Sequence, residues 1–263
     1  MELRVLYIGD IVGRPGREAV AELLPALRDE FSPDLIIANA ENATHGHGLS
    51  KQHYKELTEL GIDAFSMGDH IWDKEDLLEI IDKPETMLVR PANYRNAPGK
   101  RYLDLTVKGK RLRLVNILGR VFMQPSVDNP FHTMDEILAI APKPDLVIVD
   151  VHAEATSEKR MLAEYLNGRV QLVVGTHTHV PTADAQLLEG DNTAFISDLG
   201  MVGPKNSSLG ADKEPIIKSF LTGQPWRYSL GTGQCELGAA FCIIDVTMQR
   251  ATHLEHIRRF TNS

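Results

Sequence analysis

"VVGTHTHVPTAD", Val173 to Asp184, is a short oily run, then two histidines one residue apart, then a proline. In an extended backbone, residues two apart point to the same side, so the imidazoles of His177 and His179 are expected to converge on one object, such as a metal ion. In open α/β sheets ligands bind outside the carboxyl ends of the strands. The stretch therefore reads as a buried strand that delivers a ligand-bearing loop, and the rest of the chain repeats that grammar. Apolar runs bounded by turn residues occur at Leu3 to Ile8, Leu35 to Ala38, Ala64 to Met67, Leu146 to Val149, Leu172 to Val174 and Ala194 to Ile196.

Helical patterns lie between many of these runs: Arg17 to Phe31, Lys51 to Leu60 with Ser50 as N-cap and Gly61 as stop, and Lys74 to Ile81 behind Asp73. Two more run from Asp135 to Ile140 and from Glu158 to Leu166. The alternation predicts an α/β fold with a sheet covered by helices on both faces. Tyr102 to Val107 and Leu112 to Leu118 flank Lys108-Gly109-Lys110 as a hairpin, and Phe241 to Val246 pairs with Thr252 to Ile257 in another. Parallel and antiparallel pairs are thus expected together.

The chain has 263 residues, 43% hydrophobic and 24% charged, which suits an ordinary globular protein. No linker, repeat or low-complexity tract divides it, so one domain over residues 1–263 is expected. Its apolar runs are too short for a bilayer, and Met1 to Ile8 enters a strand without the regions of a signal peptide. The two cysteines, Cys235 and Cys242, form no disulfide or zinc pattern. A cytoplasmic location is expected. A net charge of −8 gives no footprint for duplex nucleic acid, yet leaves room for a small anion at a metal site. A small phosphate ester is the expected partner, no membrane is expected, and a homo-oligomer is left open.

The residues standing after the strand runs carry the chemistry. They are Asp10, then Glu41-Asn42, then Asp69-His70, then His152, then His177 and His179. Carboxylate and imidazole donors without cysteine suit Mn²⁺, Fe or Zn²⁺. They are more numerous than one tetrahedral ion with an open position can use, whereas two ions sharing a bridging carboxylate would use them all. Two metals about 3.5–4 Å apart can hold a hydroxide and stabilise an in-line displacement at phosphorus. Whichever of Asp69 and His70 has no ligand duty is then free to protonate the departing oxygen.

Gly9-Asp10, Gly68-Asp69-His70, His152 and Gly175-Thr176-His177-Thr178-His179 resemble the motifs of the metallophosphoesterase (calcineurin-like) superfamily. "NAENATHGHGLS" (Asn39 to Ser50), "VDVHAEATSEK" (Val149 to Lys159), "GTHTHVPTAD" (Gly175 to Asp184) and "SDLGMVGP" (Ser197 to Pro204) resemble, more closely, its bacterial YmdB-type phosphodiesterases. The resemblance implies a four-layer α/β/β/α sandwich with mixed sheets, a dinuclear metal centre and hydrolysis of small phosphodiesters such as cyclic nucleotides. Carried over, one metal takes Asp10, Glu41, Asn42 and His179, and the other takes Glu41, Asp69, His152 and His177. Glu41 bridges and His70 is the catalytic acid or a transition-state stabiliser. The chain departs from the superfamily at Asp10-Ile11-Val12, where Asp-x-His is usual and Asn42 must replace the imidazole. It departs again at Asp69, where Asn is usual.

Taken singly, each residue has a plainer role: Asp10 and Asp69 as turn or cap residues, His152 as a satisfied strand-end histidine. His45 and His47 repeat His-x-His outside the family pattern and are expected at a rim or substrate contact. Asp198 is expected either to brace a turn or to hydrogen-bond a ligating histidine. "GDIVGRPGRE" lacks the spacing of a dinucleotide-binding loop. The rival functions are a phosphomonoesterase, which generally wants an extra cation that Arg14, Arg90, Arg120 or Lys205 would have to supply, and a metal- and nucleotide-binding sensor with little turnover.

Overall fold

A computed structural model describes residues 1–190 and 192–262. Its first sheet comprises β1 (Glu2–Ile8), β2 (Asp10–Ile11), β3 (Leu35–Asn39), β4 (Ala64–Ser66) and β5 (Leu88–Val89), completed late in the chain by three more strands. Between these lies the second sheet: β6 (Tyr102–Val107), β7 (Lys110–Leu118), β8 (Leu146–His152), β9 (Leu172–Thr176), β10 (Gln186–Leu187) and β11 (Ala194–Ile196). The closing strands of the first sheet are β12 (Met201–Pro204), β13 (Cys235–Asp245) and β14 (Arg250–Phe260). The helices are α1 (Gly13–Phe31), α2 (Lys51–Glu59), α3 (Pro130–Ala139), α4 (Thr156–Leu166) and α5 (Lys213–Thr222).

The first sheet runs β2-β12-β13-β1-β3-β4-β5 with β14 beside β13, and the second runs β10-β11-β9-β8-β7-β6. Strands β1, β3, β4 and β5 are parallel, as are β7, β8, β9 and β11, while both expected hairpins form as antiparallel pairs.

Period-two alternation builds the layers. Along β1, Leu3, Val5 and Tyr7 face the second sheet, packing with Leu112, Leu114 and Ile148, while Leu6 and Ile8 face α1. Helix α1 offers Val20, Leu24, Leu27 and Phe31 at helical spacing to that outer face. Helices α3 and α4 cover the far face of the second sheet through Met134, Ile137, Leu162 and Leu166. Fully burying such a side chain stabilises by roughly 1.5–3 kcal/mol. The result is the four-layer α/β/β/α sandwich. The expectation of one sheet covered on both faces is thereby corrected: each sheet has helices on its outer face and the other sheet on its inner face, because both faces of β1 and of β8 are apolar.

Ser50 caps α2 as expected, its side chain accepting from His53 N. Lys74 to Ile81 forms only a 3-10 turn, Glu75–Glu79, too short a run to repay nucleation of an α-helix. Helix α5 has no counterpart among the expected helices, although Ile216, Ile217, Phe220 and Leu221 recur at helical spacing.

Candidate metal centre

Parallel pairing brings the carboxyl ends of β1, β3 and β4 to one side, and those of β8 and β9 in the second sheet meet them there. Glu41, Asp69, His152 and His177 each offer a ligand atom, all within 4.8 Å of one another. His152 Nε2 lies 3.1 Å from Glu41 Oε1, 3.2 Å from Asp69 Oδ1 and 3.1 Å from His177 Nδ1. Such crowding of acceptors around one point is the arrangement a cation relieves.

The outer partners fix which nitrogen each imidazole presents. Thr176 donates its hydroxyl proton to Asp150 Oδ1 at 2.6 Å and so accepts from His152 Nδ1 at 2.8 Å, leaving Nε2 toward the acids. His179 Nδ1 donates to Leu209 O at 2.9 Å, which leaves its Nε2 as the ring's acceptor. His177 turns Nε2 to Glu154 Oε2 at 3.4 Å and presents Nδ1.

Asp10 supplies the second half of the site. It is fully buried, its Oδ2 accepts from His177 N at 3.2 Å, and its Oδ1 has no hydrogen-bond partner among the described residues. That oxygen stands 3.9 Å from His179 Nε2. Asn42 Nδ2 is 3.1 Å from both Glu41 Oε1 and His179 Nε2, so its amide joins the two halves. An orphaned buried carboxylate oxygen is costly, and a hard cation satisfies it. The donor set fits a pair of divalent ions.

Charge at the site points the same way. Burial pushes the Asp10 carboxyl well above the usual carboxylate range, opposed by His152 and reinforced by Asp198 and Glu41. At Glu41 and Asp69 burial acts upward too, yet His152 outweighs it and both are lowered. His152 is driven well above an ordinary imidazole because Glu41 and Asp69 overcome its burial. His177 is lowered to about 4 by burial and by His152. The cluster draws in positive charge.

His70 lies on the 3-10 turn Asp69–Trp72. Its backbone N–H donates to Glu41 Oε2 at 3.1 Å, and its Nδ1 donates to Asp73 Oδ2 at 3.0 Å, leaving Nε2 unengaged by either contact. Gly68 makes this closeness possible. A Cβ there would stand 2.5 Å from His152 Cδ2 and nearer still to Glu41 Oε2 and His152 Nε2.

The structure thus gathers Asp10, Glu41, Asn42, Asp69, His70, His152, His177 and His179. The premise for the last pair is corrected, however: β9 ends at Thr176, and His177 (φ 96) and His179 (φ 63) are left-handed rather than extended. They converge because the loop is forced, at a cost of roughly 1–3 kcal/mol per residue, and each serves a different half of the site.

Asp198 does that forcing. Its Oδ2 accepts from Thr178 N at 3.1 Å, from Thr178 Oγ1 at 2.8 Å and from the buried ammonium of Lys159 at 2.8 Å. It braces the loop and does not touch an imidazole. Sequence reasoning missed Lys159, Glu154 and Asp150; the signal for the last was an acid between valines inside a strand. His47 lines the cleft beside His70, as expected for a rim residue, whereas His45 packs edge-on against His53, 6.2 Å between ring centres.

The same layers recur in a 5′-nucleotidase precursor of Thermus thermophilus, with a TM-score of 0.55 over 98% of this chain and 54% of that one. At 14% identity the likeness is one of fold alone. Two sheets whose carboxyl ends pool oxygen and imidazole donors place the chain in the metallophosphoesterase class, which implies divalent metal ions. More narrowly, the chain belongs to the YmdB-like protein family, whose model matches residues 6–257. A Bacillus subtilis (strain 168) protein, 2′,3′-cyclic-nucleotide 2′-phosphodiesterase, is 44% identical over 257 residues, 97% of this chain and 96% of its own. A phosphatase of Mycoplasma pneumoniae has a TM-score of 0.93 at 35% identity, over 99% of this chain and 94% of that one. A further Thermus thermophilus protein has a TM-score of 0.91 at 40% identity, over 98% of this chain and 99% of that one.

Proposed function

We propose that the chain, acting as one catalytic domain, is a dimetal phosphodiesterase whose substrates are nucleoside 2′,3′-cyclic phosphates or similar small diesters. The observation that carries this is the convergence of Glu41, Asp69, His152 and His177 donors within 4.8 Å beside the unpaired Asp10 Oδ1. The relative from Bacillus subtilis supports the substrate class. Asp10, Glu41, Asn42 and His179 would hold one ion, and Glu41, Asp69, His152 and His177 the other, with Glu41 shared. Oxygen and imidazole donors without thiolate favour Fe or Mn, with Zn as a third candidate. Bound, the ions supply Lewis acidity and an activated water at neutral pH.

The chain's own residues do the rest. Water adds to phosphorus and releases one proton to solvent, the bond from phosphorus to the 2′ oxygen breaks, and His70 Nε2 gives its proton to that oxygen. Asp73 holds the His70 ring for the transfer through Nδ1. Asp198 and Lys159 keep His177 and His179 at their angles. Both cysteines are free and buried, which suits a reducing cytoplasm.

A diester is favoured over a monoester by the cleft of about 770 Å³ at the centre, which has no Lys or Arg among its lining residues. Arg90 is buried on the carbonyls of Pro91, Ala97 and Pro98, and Arg14 pairs with Glu18 at the surface. Mn²⁺-loaded protein assayed on adenosine 2′,3′-cyclic phosphate and on p-nitrophenyl phosphate tests this. Faster turnover of the monoester would reverse the assignment.

A further inference from the structure

Beyond the donors, the cleft is walled by rings. His47 lies 4.6 Å from His70 and 4.6 Å from Tyr228, and Tyr228 lies 5.7 Å from Trp226, measured between ring centres. This file of rings leads from the leaving-group acid outward. Trp226 is 39% exposed, and Phe220 beside it on the cleft wall is 85% exposed, so apolar surface is offered to a ligand rather than used for packing.

The wall is anchored at its base and on the neighbouring loop. Gly231 N donates to Gly210 O at 2.8 Å and Asp212 N to Ser229 O at 2.8 Å, stapling the base of the excursion that carries α5 and Trp226. Next to that staple, Tyr228 lies so close over Gly46 (φ +88) of the metal-binding loop that any Cβ there would overlap its ring. The loop that bears Glu41 and Asn42 and the segment that bears Trp226 are therefore joined. A wall fixed in advance costs little to order when a ligand arrives.

We propose that Trp226, with Tyr228 and His47 behind it, is a nucleobase-stacking subsite that favours diesters carrying a base over diesters without one. The inference rests on the phosphodiesterase reading, because it takes the phosphate to lie at the metal centre. A neutral heteroaromatic base suits a wall of rings with no Lys or Arg among the cleft's lining residues. A long polyanion would want cations among the residues that line the cleft, and those hold none. Base-on-aromatic stacking is sequence-tolerant, since every base has a π face, and purines offer the larger one.

The test uses Mn²⁺-loaded full-length protein with two cyclic diesters, adenosine 2′,3′-cyclic phosphate and glycerol 1,2-cyclic phosphate, which lacks a base. In Trp226→Ala the ratio of kcat/KM for the first over the second should fall about 5- to 150-fold, chiefly through KM, the equivalent of roughly 1–3 kcal/mol per stacked base. Trp226→Phe should retain most of the ratio. The chain has two tryptophans, so a Trp72→Phe background isolates Trp226, whose fluorescence adenosine 3′-monophosphate should quench without any turnover. An unchanged ratio in Trp226→Ala, or no quenching, overturns the subsite. If the wild type hydrolysed neither diester the phosphodiesterase reading would fail, and quenching would still decide whether a base stacks here.

Discussion

Gly68→Ala adds one methyl group at the centre of the site. The new Cβ would lie 2.5 Å from His152 Cδ2 and closer to Glu41 Oε2, whereas real Cβ contacts essentially never fall under 3.0 Å. Neither neighbour can yield freely. His152 is wholly buried and held at Nδ1 by Thr176, and Glu41 is 1% exposed and held by His70 N. Relief requires movements of about 0.5 Å or more, against a tolerance of about ±0.2 Å in metal–ligand distances. Metal affinity should fall at least 10- to 100-fold, the loss usual for a disturbed supporting shell. Elemental analysis after dialysis against trace Mn²⁺, with the thermal midpoint of the metal-stripped protein as a control for folding, measures it. A variant that keeps full metal stoichiometry and wild-type kcat would refute the close packing on which the site is built.

Four further outcomes are expected. His70→Ala should lower kcat by about 10²- to 10⁴-fold while metal content stays unchanged; a sensor would show equal cellular phenotypes for both proteins. Asp73→Asn should lower kcat less than His70→Ala, with metal content unchanged, since the ring loses the carboxylate that orients it. Lys159→Met leaves the buried Asp198 carboxylate without its cation and should destabilise the protein by roughly 3–5 kcal/mol in urea titrations, with metal affinity falling as the histidine loop loosens. Chelation should lower the thermal midpoint, because an ion at 100 times its Kd contributes about 2.7 kcal/mol to the folded state; an unchanged midpoint would argue against metal binding at Asp10 and Glu41.

Much of the site was legible because its donors stand at strand ends, where an apolar run stops and a polar residue follows. Asp10, Glu41 and Asp69 announce themselves in that way, and His152 nearly so, although it is still the last residue of β8. Lys159 was not legible: on α4 it looks like one more solvated cation, and only the approach of Asp198 from a distant loop makes it a buried ion pair. Asp150 was hidden for a related reason, since nothing local states that Ser66, Thr176 and Asn39 will all turn toward it. Trp226 and Tyr228 follow a helix that periodicity would have revealed had Ile216, Ile217, Phe220 and Leu221 been weighed.

By itself the sequence determined most of the segments that become strands and helices, α5 and the 3-10 turn Glu75–Glu79 apart, and which donor types stand at their ends, because both follow from local periodicity and side-chain chemistry. Periodicity pointed to one sheet where the motif resemblance implied two, and the tertiary structure shows two sheets bringing those ends together. It also decided which nitrogen each histidine presents and which carboxylate oxygen is left unpaired. Those outcomes depend on contacts between residues distant in sequence, from His152 with Thr176, 24 positions apart, to Asn42 with His179, 137 apart, and no local pattern encodes the distance at which such residues meet.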